Sequence, residues 1–355
     1  MPYSDLIIKD PEGNVKEILK VSKLCFGSLC MGPLQSNLSI KDGAKIINRA
    51  VELGINFIDT AQIYKTYSYI KSALDINVNK NKIIISTKTY AYTRKLAKEA
   101  LEEALRELDR EYIDIFMLHE QESVHTIYGH IEALEYFFEQ KKAGRIKSVG
   151  ISTHHVTGVL GAVEFNQTYK KDKLDIIHPM YNITGLGIIP VSVSDSDEDY
   201  QKSETSVLSQ ISQISQMETA LIDAKKSGFF IFSMKPLGGG NLFARAEEAL
   251  KFVLNKPFID SIAVGMKSEI EVDSNANFFE TGEFPEEYHK NYLKNAWGKH
   301  LHIDSWCEGC GKCVLACPSK ALKLNSKGIA ICDYNKCVLC GYCSGACDIF
   351  AIKII

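Results

Sequence analysis

Eight cysteines crowd the end of this 355-residue chain in two copies of one run. The first is Cys307, Cys310, Cys313 and Cys317, followed by Pro318; the second is Cys337, Cys340, Cys343 and Cys347. Two CxxC pairs alone would suit a zinc ribbon. A third Cys at the same short spacing and a fourth just beyond it do not suit a four-ligand zinc site and match iron–sulfur ligation instead. Such clusters move single electrons and tend to be oxygen-sensitive when exposed, which points to an anaerobic cell. Cys332 is a spare, read as a packed thiol, and Cys25 and Cys30 read as small apolar core residues. Disulfides do not fit a reducing cytosol.

A second set of residues carries different chemistry. Asp59 ends the apolar run NFIDT with Tyr64 five residues on, Lys88 ends IIISTK, and His119 ends IDIFMLH. Reducing a carbonyl by hydride builds negative charge on oxygen, which a proton donor must meet. A tyrosine, with a pKa of about 10, needs a neighbouring ammonium to lower it. Lys88 is expected to do this for Tyr64, Asp59 to hold Lys88 by a charge-assisted hydrogen bond, and His119 to polarise the carbonyl. Singly, Asp59 reads equally as a helix cap, Lys88 as a rim charge and His119 as structural. Their joint occurrence at the ends of three consecutive apolar runs argues for a catalytic set.

These residues need elements to position them. Short apolar runs at 24–28, 57–61, 83–89, 113–119, 146–152, 174–181, 228–235 and 261–266 read as strands. Amphipathic stretches lie between them; in TRKLAKEALEEALRELD, Leu96, Leu101, Leu105 and Leu108 fall at helical spacing. Eight such units predict an α/β fold, a closed (β/α)8 TIM barrel with its site at the C-terminal ends of the strands. A hairpin around Pro11–Asn14 is expected to plug the barrel floor. The barrel is expected over 1–278, with a polar insertion at 186–216 read as a lid or a functionless surface loop. A connecting helix follows at 279–304. The Cys-rich domain, 305–355, repeats with a 30-residue period and draws most of its folding energy from ligation. Net charge of −3 and pI near 6.3 give no case for nucleic acid or an anionic membrane surface. No apolar run reaches 18 residues, and the start lacks a secretory pattern, so a cytoplasmic location is expected.

The Asp-Thr-Ala-x-x-Tyr segment at 59–64, the strand-end Lys88 and the strand-end His119 resemble the tetrad of the aldo-keto reductase family over about residues 20–280. The tail resembles the branch with a C-terminal bacterial-ferredoxin-like α+β domain, in which two [4Fe–4S] clusters are held and the fourth Cys of each run ligates the other cluster. The resemblance implies NADP or NAD bound in extended form without a G-x-G-x-x-G loop. Carried over by position, Ser152, Met234, Lys235, Leu237, Gly265, Lys267, Ser268 and Asn275 are the cofactor-binding candidates. The groove departs from the family pattern. Thr153 follows Ser152 where Asn is common, His178 replaces a Gln, and Met234 stands where an aromatic stacks on nicotinamide. The Arg that reads a 2′-phosphate is missing, with Glu269, Glu271 and Asp273 nearby, which leaves NADP against NAD open. No motif speaks for or against a flavin.

The leading expectation is an oxidoreductase interconverting a small carbonyl compound and an alcohol, with Tyr64 as acid/base and the clusters wired to a ferredoxin or flavodoxin-type carrier. One alternative is a cluster-fed single-electron reductase that does not use NAD(P)H directly. Another is a non-catalytic electron-carrier or scaffold subunit.

Overall fold

Eight parallel strands close into a barrel in the order β10-β3-β4-β5-β6-β7-β8-β9. They are β3 (Leu24–Gly27), β4 (Phe57–Asp59), β5 (Ile84–Thr89), β6 (Ile113–Leu118), β7 (Ile146–Thr153), β8 (Ile176–Pro179), β9 (Phe230–Met234) and β10 (Ser261–Gly265). Each falls within or one residue beyond an apolar run of the sequence. The computed structural model describes residues 1–10, 13–75, 82–185, 188–189, 207–286, 300–317, 320–337 and 342–355. The segment 190–206 of the expected lid and most of the expected connecting helix, 287–299, lie outside the described residues.

Alternation along the strands divides two cores. Cys25, Phe57, Ile84, Ile115, Met117, Ile176, Phe230 and Phe232 fill the barrel interior. A larger layer, including Phe26, Ile58, Ile85 and Phe116, packs outward against the helices. The antiparallel hairpin of β1 (Tyr3–Lys9) and β2 (Val15–Ser22) sends Leu6, Ile8 and Val21 into the interior cluster and so plugs the floor as expected.

The helix Arg94–Leu108 is capped by the Thr93 hydroxyl, which accepts from Leu96 N–H. Its buried face is Ala97, Ala100, Leu101, Ala104, Leu105 and Leu108. Leu96, grouped with that face from sequence, is 38% exposed. The step from 96 to 101 is five residues, well past one helical turn, so the two side chains diverge.

Two small strand pairs build the tail. β11 (Leu301–Ile303) pairs antiparallel with β14 (Ile352–Ile354), and β12 (Leu322–Leu324) with β13 (Ala330–Cys332). Leu301–Ile303, expected within the connecting segment, is thus part of the tail's own sheet. The tail seats on the C-terminal face of the barrel. Phe350 is 2% exposed and belongs to the barrel's apolar cluster; burying such a side chain contributes roughly 1.5–3 kcal/mol. Two barrel glycines make room for it. A Cβ on Gly239 would stand 2.5 Å from the Phe350 ring, and one on Gly240 would stand 2.3 Å from the Ile354 carbonyl oxygen. Both have positive φ, +64° and +98°, which glycine adopts without strain. Among the described residues no helix is long and apolar enough to cross a membrane.

Candidate active site

Asp59 closes β4, Lys88 lies in β5 and His119 follows β6, so three neighbouring strands deliver them to one end of the barrel. Tyr64 arrives on the 3₁₀ turn Gln62–Tyr64. That turn is braced by a buried chain of hydroxyls, Ser28 to Thr66 at 2.8 Å and Thr66 to Thr60 at 2.7 Å. Lys88 is fully buried. It donates to both carboxylate oxygens of Asp59, at 2.7 Å each, and to the Thr60 carbonyl at 2.8 Å. Its ammonium stands 5.2 Å from the centre of the Tyr64 ring.

The electrostatics differ from the expectation in one respect. Burial would raise the Asp59 carboxyl, but the Lys88 ammonium and His178 outweigh it and hold the group well below the usual carboxylate range. Tyr64 moves the other way. Burial pushes its hydroxyl well above the ordinary tyrosine value, and the charges of Asp59 and Glu120 push it further. Lys88, paired with Asp59, does not offset that rise. At neutral pH Tyr64 therefore holds its proton, which suits a donor to a developing alkoxide, itself a stronger base than a phenolate.

A cavity of about 220 Å³ opens here, lined by Asp59, Tyr64 and His178 among others. His119 is not among the lining residues. It stacks on Tyr90 at 4.4 Å and meets Tyr64 edge-on at 5.7 Å. Its Nδ1 is buried without a hydrogen-bond partner, and burial, with Lys88 adding, holds it well below the usual histidine pKa. His178 is the residue that sequence reasoning noted only as a departure. It sits in β8, stacked on Phe232 at 3.9 Å, with Nδ1 2.6 Å from the Phe232 carbonyl oxygen and Nε2 3.6 Å from Asp59. The Nδ1–H therefore donates to that carbonyl, which turns Nε2 toward Asp59.

Of the eight cofactor candidates, Met234, Lys235, Leu237, Gly265, Lys267 and Asn275 line this same cavity. Ser152 is fully buried and accepts from Glu120 N–H, and Ser268 caps the helix Glu269–Thr281 by accepting from Glu271 N–H. Of the nearby acids, Glu269 pairs with Lys45 and Asp273 with Arg49, while Glu271 lines the cavity. Six of the eight thus share one cavity with Asp59 and Tyr64. Lys353, Ile354 and Ile355 of the tail, which sequence reasoning missed, add to the wall. With the tail docked, the cavity falls short of the roughly 300–1,000 Å³ usual for larger ligands.

In the tail, Cys307, Cys310, Cys313 and Cys347 line one small void with Leu324, Ala330 and Ile352. Three thiols of the first run meet the fourth of the second. Burial pushes the Cys313 thiol up to about 11, and its neighbours Cys347, Cys307 and Cys310 add to the rise. Thiols that repel one another in an apolar pocket fit a cationic iron–sulfur core, which would neutralise them. Backbone N–H groups of Ala351 and Ala321 point at Cys347 and Cys317 sulfurs, at 3.2 Å each. Cys332 stands beside Cys337, Cys343 and Cys317, and burial with the charge of Cys337 raises its thiol to about 12. Cys340 lies outside the described residues.

A closed parallel barrel with charged side chains at its strand ends has the build of a TIM-barrel enzyme. Residues 23–193 match the aldo/keto reductase family, and residues 302–323 match the 4Fe-4S binding domain. The aldo/keto reductase match falls on the barrel and the 4Fe-4S match on the tail. It is 32% identical to methylglyoxal reductase DkgA of Escherichia coli (strain K12) over 141 residues, 36% of this chain and 50% of that protein. The chain therefore spans about half the length of that relative. Protein tas of the same strain is 22% identical over 327 residues, 72% of this chain and 89% of that protein. Among solved structures, an aldo-keto reductase from Bacillus halodurans in its holo form superposes with TM-score 0.55 at 21% identity, covering 83% of this chain and 96% of that one. That likeness speaks to the fold.

Proposed function

We propose that the barrel is an oxidoreductase that interconverts a small carbonyl compound and the corresponding alcohol, with Tyr64 as the proton donor and acceptor. The observation that carries this reading is the Asp59–Lys88 pair beneath Tyr64, with Asp59 and Tyr64 lining one cavity. Tyr64 holds its proton at neutral pH and releases it to the alkoxide that forms as the carbonyl accepts electrons. Lys88 and Asp59, both buried, balance each other's charge beside the ring. A bound nicotinamide, NADP or NAD, would supply the hydride, held by Met234, Leu237, Gly265, Lys267 and Asn275. The tail cysteines would hold two clusters that pass single electrons to a ferredoxin or flavodoxin-type carrier.

A second reading has its own support. The tail residues Lys353–Ile355 form part of the cavity wall, which favours electrons arriving from the cluster side without direct use of NAD(P)H. Anaerobically reconstituted protein, assayed with NADPH, NADH and reduced methyl viologen in turn, separates the two. In either case Tyr64→Phe is expected to lower carbonyl reduction by about 10²–10⁴. An unchanged rate would remove Tyr64 from the mechanism.

A further inference from the structure

Lys235 follows the last residue of β9 and lines the cavity, so the surface it keeps faces that space. It is held in a left-handed backbone conformation, φ +54°, that a non-glycine residue adopts at a cost. Its hydrogen-bond partner is not a carboxylate but the imidazole Nε2 of His154, at 2.9 Å. The Phe350 ring of the tail covers the ammonium at 4.4 Å and brings no charge.

Among the described residues, the acids that act on Lys235 are already engaged. Glu120 accepts from the Tyr90 hydroxyl at 2.6 Å and stands 3.8 Å from His154. Asp304 is held by Lys353 and by His302. Lys88 is spent on Asp59. Burial, with the like charge of Lys353 adding, brings the Lys235 ammonium down to about 7. Its charge in turn depresses both His119 and His154, the second of which it touches. A shielded cation with no carboxylate partner is costly to keep. An anion entering the cavity would complete it.

We infer that Lys235 seats an anionic group of the substrate, so that the cavity takes a small 2-oxo acid or its 2-hydroxy counterpart. A carboxylate next to the reacting carbonyl is the anion that this geometry suits, because Lys235 and Tyr64 line the same cavity. Sequence position had grouped Lys235 with the cofactor candidates. The inference rests on the carbonyl–alcohol reading for the identity of the neighbouring group, but not for the binding of the anion.

The test compares 2-oxo acids of three to six carbons with their methyl esters, which keep the carbonyl and remove the charge. Binding is measured by calorimetry and turnover by KM and kcat, on full-length, cluster-loaded protein. The native protein is expected to prefer acid over ester, and Lys235→Met to weaken acid binding by about tenfold to a hundredfold. The ester should be unaffected, and Lys235→Arg should restore part of the preference. Absence of an acid preference in the native protein, or its persistence in Lys235→Met, overturns the inference. So does a Lys235→Met defect confined to the affinity for nicotinamide dinucleotide, which would make Lys235 the counter-ion of a cofactor phosphate. Lys235-dependent binding of the acids without their reduction would support the anion seat while removing the carbonyl–alcohol reading.

Discussion

Lys88 gives two of its three ammonium hydrogens to the carboxylate of Asp59 and the third to the Thr60 carbonyl, in a site where it is fully buried. Every donor of the cation is thus satisfied within the protein. Removing one partner would leave the other charged and buried without compensation. Lys88→Met is expected to cost about 3–5 kcal/mol in urea unfolding, and Lys88→Met with Asp59→Asn to recover a large part of that. Equal, additive losses would show that the pair is not coupled.

The pH dependence of stability follows from the same pair. The Asp59 carboxyl lies below its unfolded value in the native state. It therefore adds stability above an unfolded pKa of about 3.9, and that contribution is lost as pH falls toward the native value. The stability gap between the native protein and Asp59→Asn is expected to narrow as melts are run below roughly pH 4. A gap that stays constant from pH 6 to pH 2.5 would contradict the assignment.

Gly240 lets the tail approach the barrel. With φ +98° and only 2.3 Å between a Cβ and the Ile354 oxygen, Gly240→Ala should add strain of about 1–3 kcal/mol and push β14 away. Hydrogen exchange at 350–355 is expected to quicken while the strands of the barrel interior keep their protection. Unchanged exchange at the tail would mean that the contact yields without undocking.

The crossing of Cys347 into the void of the first run makes a prediction about metal content. On the proposal of two clusters, Cys347→Ala is expected to disturb the one that Cys307, Cys310 and Cys313 would hold, taking iron below about eight per chain. Cys332→Ser should leave iron unchanged, since the two runs would provide eight ligands without it. Iron and sulfide analysis with low-temperature paramagnetic resonance distinguishes the two variants. Loss of iron in Cys332→Ser would make Cys332 a ligand.

Much of the barrel was legible because its signals are local. A run such as IDIFML announces a strand by itself, and Asp59, Lys88 and His119 stand at the ends of such runs. The Tyr64 environment was not legible, since the burial that raises its hydroxyl comes from packing between distant segments. Leu96 was assigned to the wrong face because five residues exceed a helical turn. His178 appears in the sequence as a substitution, and only its stacking on Phe232 and its approach to Asp59 give it a place at the site. The docking of Phe350 against Gly239 joins positions more than a hundred residues apart, and no periodicity records such a contact.

The strand Ile352–Ile354 serves two neighbours at once, with Ile352 on the cysteine-lined void and Ile354 on the barrel cavity. Any coupling between an occupant of the cavity and a metal in the void would run through this strand and would act equally in both directions. An affinity measured for either one therefore needs the state of the other to be stated with it.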